Sequence, residues 1–141
     1  MSGETILRVV GKILLPYILL YALYVQFHGD FGPGGGFQAG VIFAAGLVLY
    51  SLVFGLAAAV RVAPPGILER LAALGVLVYG GTGVATLLGG GRFLDYNVFN
   101  AHHPAHGQHL GIFLVELGVG ITVTAVMASI FFAFASRRRV P

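Results

Sequence analysis

Four long apolar runs, separated by short polar stretches, dominate the chain: Ile6 to Phe27, Phe37 to Val60, Leu71 to Leu88 and Leu110 to Ser136. They are apolar all round, with neither the stripe of a surface helix nor the alternation of a half-buried strand. A helix rising ~1.5 Å per residue needs about 20 such residues to cross ~30 Å of hydrocarbon. The pattern predicts helices over about 6–27, 37–60, 67–88 and 110–136, forming a single membrane domain over residues 1–141. In lipid each helix satisfies its own backbone, so the predicted fold class is an all-α integral membrane protein, a bundle of four transmembrane helices. Pro64-Pro65-Gly66 punctuates the second connection and Gly89-Gly90-Gly91 ends the third run. The first run is too long for a secretory signal, and Tyr21 to His28 offers no small-residue cleavage site.

Composition agrees with lipid as the solvent. Residues are 57% hydrophobic and only 9% charged, against about 25% charged in ordinary globular domains. With no cysteine, disulfides, thiolate metal sites and cysteine nucleophiles are excluded. The small net charge of +3 gives no nucleic-acid surface, but its placement is informative. Arg8, Lys12, Arg61, Arg70, Arg137, Arg138 and Arg139 fall on one side of a four-pass chain, and Arg92 on the other. The positive-inside rule then predicts both termini cytoplasmic. The segment 28–36 and the connection from Arg92 to His109 would lie outside.

Glycine is abundant, at 22 residues in 141, about twice the usual share. It is densest at Gly32-Pro33-Gly34-Gly35-Gly36, just before Phe37. Gly36 and Gly40, one turn apart, continue to Ala44 as a small-residue face on which helices approach closely. Gly34, Gly35, Gly36, Gly40, Pro33 and Phe37 are therefore expected to pack helices together. The run partly matches a dinucleotide pattern, but no strand precedes it and no Lys-Ser/Thr follows. Its bare N–H groups, at the start of the second span, could instead attract an anionic side chain.

Glu116 is the single charge in the fourth run. An acidic residue within a span costs on the order of 2.5–3.5 kcal/mol, so it is expected to face protein or water. It reads as a proton or cation site, or as a structural carboxylate bonded to a neighbouring helix. Lys12 is too deep for a direct salt bridge with Glu116 and reads, with Arg8, as snorkelling to cytoplasmic headgroups. His28 and Asp30 flank the outer end of the first span; they suit a proton relay or a helix cap. His109 precedes Glu116 by two turns on one face and could hand protons inward. His102, His103, His106 and His109 invite a metal reading. Pro104 interrupts helical pairing of His102 with His106, and no metal motif is present, so an outer loop of pH-dependent charge is expected instead. Thr82 and Thr86, beside Tyr79-Gly80-Gly81 and Gly83, are possible partners of a polar path, while those glycines suggest packing. No cofactor or metal is expected.

Two stretches carry a family resemblance. His28-Gly29-Asp30 with Pro33-Gly34-Gly35-Gly36-Phe37-Gln38-Ala39-Gly40-Val41-Ile42-Phe43-Ala44 resembles the signature of the B subunit of Mrp-type (Mnh-type) multisubunit Na+/H+ antiporters. Gly107-Gln108-His109-Leu110-Gly111-Ile112 and Val115-Glu116-Leu117-Gly118-Val119-Gly120-Ile121-Thr122-Val123 resemble that family's second motif. The resemblance covers almost the whole chain. It implies a small plasma-membrane subunit of a complex exchanging cytoplasmic Na+ for external H+. The partners implied are subunits of A, C, D, E, F and G type, the lipid membrane, Na+ and H+, with no nucleic acid. Glu116, His28, His109, Asp30, Thr82 and Thr86 become candidates for an ion or proton path.

Related modules occur in the membrane arms of hydrogenase-like redox complexes, which is the alternative function. Small multidrug-type exporters also have four spans and an intramembrane glutamate, but place that acid in the first span. An independent enzyme lacks any catalytic constellation here.

Overall fold

The computed structural model describes residues 2–29, 32–100 and 103–137. Asp30, His102, Arg138 and Arg139 lie outside the described residues. Among the described residues the secondary structure is wholly helical: α1 (Ser2–His28), α2 (Gly36–Phe54), α3 (Leu56–Val62), α4 (Pro65–Leu88), a 3-10 turn at Tyr96–Phe99, and α5 (Pro104–Arg137). Four of these, α1, α2, α4 and α5, are long and apolar enough to cross a membrane.

Three boundaries differ from the hydropathy reading. The second predicted helix, 37–60, breaks at Gly55, whose φ of 95° suits glycine. Its 19-residue first part still spans about 28 Å. The remainder is α3, which carries Arg61. The last helix starts at Pro104 instead of residue 110. Pro104 needs no amide partner in the first turn, and the Asn100 side chain accepts from the His103 N–H just ahead of it, at 3.0 Å. The first helix begins at Ser2, ahead of the apolar run.

The long helix α5 is the centre of the bundle, packing on α4, α2 and the 3-10 turn, while α1 lies mainly on α2. At one end Ala59, Leu68, Ala125, Ala128 and Phe132 form a buried apolar cluster joining α3, α4 and α5. Elsewhere the contacts are glycine seams. On the α4 side, a methyl at Gly118 would lie 2.7 Å from the Gly75 carbonyl oxygen. On the α2 side, a methyl at Gly40 would lie 2.8 Å from the Gly120 carbonyl oxygen and from Val123 Cβ. Thr122 donates to Gly118 O at 2.9 Å, and Thr124 to Gly120 O at 2.7 Å. These bonds bury the hydroxyls' polarity where the helices touch.

The outer connection is tied to this scaffold. The Tyr96 ring covers bare Gly111. Burial, and then neighbouring Tyr79, push its phenol above the ordinary tyrosine value. Gln108 Nε2 donates to Asn97 Oδ1 at 2.9 Å. The Thr86 hydroxyl accepts from the Leu94 N–H at 2.9 Å, holding a residue with φ of 63°.

Candidate functional site

The spacing along α5 separates two faces. Gly107, Gly111, Gly118 and Thr122 look toward the 3-10 turn and α4, and Glu116, Gly120 and Thr124 look toward α1 and α2. Glu116 therefore comes up against the glycine hinge. A methyl at Gly29 would lie 2.7 Å from both Glu116 carboxylate oxygens, and one at Gly35 would lie 2.8 Å from Oε1. A methyl at Gly36 would run into the Glu116 backbone carbonyl. The hinge and the intramembrane acid are thus one place in the fold.

Local backbone explains the fit. Gly35 has a φ of 119°, a conformation that L side chains rarely adopt, and donates to Val25 O at 3.2 Å, folding the hinge back over the end of α1. Gly35 is also the N-cap of α2, and no side chain caps that end. The positive end of a helix attracts negative charge, and here the carboxylate beside it comes from α5. Glu116 is half-buried and has interactions of its own. The hinge packs on α5 through Gly36, and the Glu116 carboxylate lies beside Gly35.

Gln26, which hydropathy reasoning passed over, is buried at 6% exposure. Its Oε1 would be 2.5 Å from a methyl at Gly120, one turn from Glu116. Its Nε2 has no hydrogen-bond partner among the described residues. An orphaned buried amide costs about 1–3 kcal/mol, so its presence asks for an explanation. The available signal was an uncharged polar side chain inside the apolar run Tyr21 to Phe27. Further inward, Thr124 borders an open, mostly apolar groove of about 650 Å³ that is also lined by Lys12, Pro16 and Tyr50.

The other candidates fall elsewhere. His28, the last residue of α1, stacks on Tyr24 with ring centroids 5.1 Å apart, and its Nε2 would be 3.2 Å from a methyl at Gly32 of the hinge. His109 is within α5, two turns before Glu116, and is exposed. His103 and His106 meet edge to face at 6.0 Å. Thr82 and Thr86 are buried on α4, across α5 from Glu116. Thr82 donates to Val78 O and Thr86 to Gly83 O, each at 2.8 Å. Their hydroxyl protons are engaged by their own helix, and Thr86 also anchors the outer loop.

The packing set needs two corrections. Phe37 is 61% exposed, because Gly36 and Gly40 occupy the face of α2 that meets α5. Pro33 is exposed in the hinge. Gly80 and Gly81 have open space where a Cβ would be, so within this chain they pack nothing, whereas Gly83 lies under the Phe93 ring.

A four-span helical membrane protein with an acid held in a glycine hinge describes a membrane-embedded ion-handling class better than a soluble fold. The family model for a domain related to the MnhB subunit of Na+/H+ antiporter matches residues 6–129. The chain belongs to that family. It is 31% identical over 136 residues to a Staphylococcus haemolyticus protein named as antiporter subunit mnhB2, covering 95% of this chain and 96% of that protein. A Staphylococcus aureus (strain Newman) protein of the same name is 30% identical over 139 residues, covering 97% and 98%.

Proposed function

We infer that the chain is a non-enzymatic subunit of a multisubunit Na+/H+ antiporter of the plasma membrane, with Glu116 in its ion or proton path. The observation that carries the path reading is the Glu116 carboxylate set against Gly29 and Gly35, beside the uncapped start of α2. A purely packing seam needs no carboxylate, and its α4 counterpart among the described residues sets Tyr79 and Tyr96, but no carboxylate, against Gly118 and Gly111. Gln26 extends the polar line inward from Glu116. His109 would serve the outer end. The names of the relatives above favour an antiporter over a hydrogenase-like redox complex.

The proposed partners are subunits of A, C, D, E, F and G type, with both termini cytoplasmic on the charge bias. A tag on this chain should recover those subunits from native membranes, identified by mass. Recovery with iron–sulfur redox subunits instead would overturn the antiporter assignment. The chain has no cysteine, so cysteines introduced at Pro65 and Arg92 report orientation cleanly. They should label from the cytoplasmic and outer sides respectively, and labelling of both from one side would contradict the orientation.

A further inference from the structure

Tyr17, Tyr21, Tyr24 and His28 recur at i, i+4, i+7 and i+11, a single stripe of α1. The stripe holds three of the chain's six tyrosines. Tyr21, Tyr24 and His28 stack in turn, with ring centroids 6.2 Å apart for Tyr21–Tyr24 and 5.1 Å for Tyr24–His28. The tyrosines are 66%, 58% and 58% exposed in chain order. None of the three hydroxyls is hydrogen-bonded among the described residues.

Depth decides what this stripe faces. Measured from His28 at ~1.5 Å per residue, Tyr24 lies about 6 Å inward, Tyr21 about 10 Å and Tyr17 about 16 Å. Half of the hydrocarbon core is ~15 Å. Tyr24 fits an interfacial aromatic belt, where the ring is apolar and the hydroxyl wet. Tyr21 lies beneath that belt and Tyr17 near the midplane. A phenol without a partner there carries the full cost of a desolvated hydroxyl.

We propose that the Tyr17–Tyr21–Tyr24 stripe docks a membrane-spanning helix of a different subunit, one presenting carboxylate, amide or hydroxyl oxygens at the depths of Tyr17 and Tyr21. Donor hydroxyls stacked down one face are complementary to acceptors on the partner, and an interhelical hydrogen bond satisfies both in lipid. This surface lies on another face of α1 from the Glu116 site and stands or falls separately from the path reading.

The test uses the intact complex. A benzophenone amino acid is placed in turn at Tyr17, Tyr21, Tyr24 and, as a control off the stripe, Leu23, which is 43% exposed, and the adducts are identified by mass after illumination. The three stripe positions should join one spanning helix of another subunit that carries polar side chains at matching depth, while Leu23 does not join that helix. Adducts of positions 17 and 21 with lipid, with a second copy of this chain, or with a wholly apolar helix would overturn the proposal. Tyr17→Phe with Tyr21→Phe keeps both rings and removes both hydroxyls. Recovery of the complex through detergent should fall about threefold or more, as expected for lost interhelical bonds. Unchanged recovery would overturn the hydrogen-bonded docking even where the crosslinks form.

Discussion

The two faces of α5 solve the same packing problem with different residues. Toward α4, Gly118 meets Gly75, and Thr122 bonds Gly118 O and, at 3.4 Å, Ala72 O. Toward α2, Gly120 meets Gly40, and Thr124 bonds Gly120 O and, at 3.3 Å, Gly40 O. Glycine brings the backbones together and threonine satisfies the carbonyls on both sides. The α2 side then adds an acid against a bare hinge and an amide with no partner. What packing requires is present in both seams, so the additions on one side call for a function beyond packing.

Adding a methyl tests the shared part of this comparison and should have the largest effect. Gly36→Ala drives a methyl into the Glu116 carbonyl, and Gly75→Ala drives one into Thr122 and the Gly118 carbonyl. Backbone cannot give way as a side-chain tip does, so each should cost at least the ~1–3 kcal/mol of ordinary overpacking. Native gels should show the complex depleted in both variants. Normal assembly with either would mean that the seams are looser than described.

Gln26→Leu probes what only the α2 seam has. Exchanging an orphaned amide for an apolar side chain of similar volume is neutral or stabilising for packing. The expected outcome is unchanged or improved complex content with antiport lowered severalfold. Depleted complex with normal exchange per assembled particle would make Gln26 a packing residue.

Thr86→Val leaves the Leu94 N–H without its acceptor, at a cost of about 1–3 kcal/mol. Thermal stability of the purified complex should fall while the pH profile of exchange stays in place, since this hydroxyl anchors a loop. A shifted profile would return Thr86 to the ion path. Gly80→Ala and Gly81→Ala enter open space and should change stability by less than about 0.5 kcal/mol. Lost assembly in either would reveal a partner subunit against that face of α4.

Much of the fold was legible because lipid imposes a simple rule. Continuous apolar runs of about 20 residues become spanning helices whatever their detailed order. The break at Gly55 escaped because one glycine inside an apolar run does not alter hydropathy, and its positive φ is a matter of geometry. The early start of α5 escaped because Pro104, His106 and His109 read as polar loop, although Asn100 holds the His103 N–H and Pro104 begins a helix. Glu116 and the hinge were each visible as unusual. Their meeting was not, because it depends on which face of α5 turns to α2. Thr82 and Thr86 stood out by polarity alone, and their bonds to the backbone of their own helix and, for Thr86, to the Leu94 N–H are set by geometry that composition does not show.

The proposed placing of Glu116 in an ion or proton path separates the α2 seam of α5 from the α4 seam. Na+/H+ exchange in everted vesicles, normalised to assembled complex and followed across pH, tests it most directly in Glu116→Gln beside Thr122→Val. Glutamine keeps the size and hydrogen-bonding capacity of the acid but cannot ionise, and valine removes the matching hydroxyl from the α4 seam. The account predicts that exchange per complex falls or shifts in pH dependence in Glu116→Gln, less so in Glu116→Asp, and stays near native in Thr122→Val. Full exchange at every pH in Glu116→Gln, or an equal loss in both seams, would contradict it and leave Glu116 as scaffold.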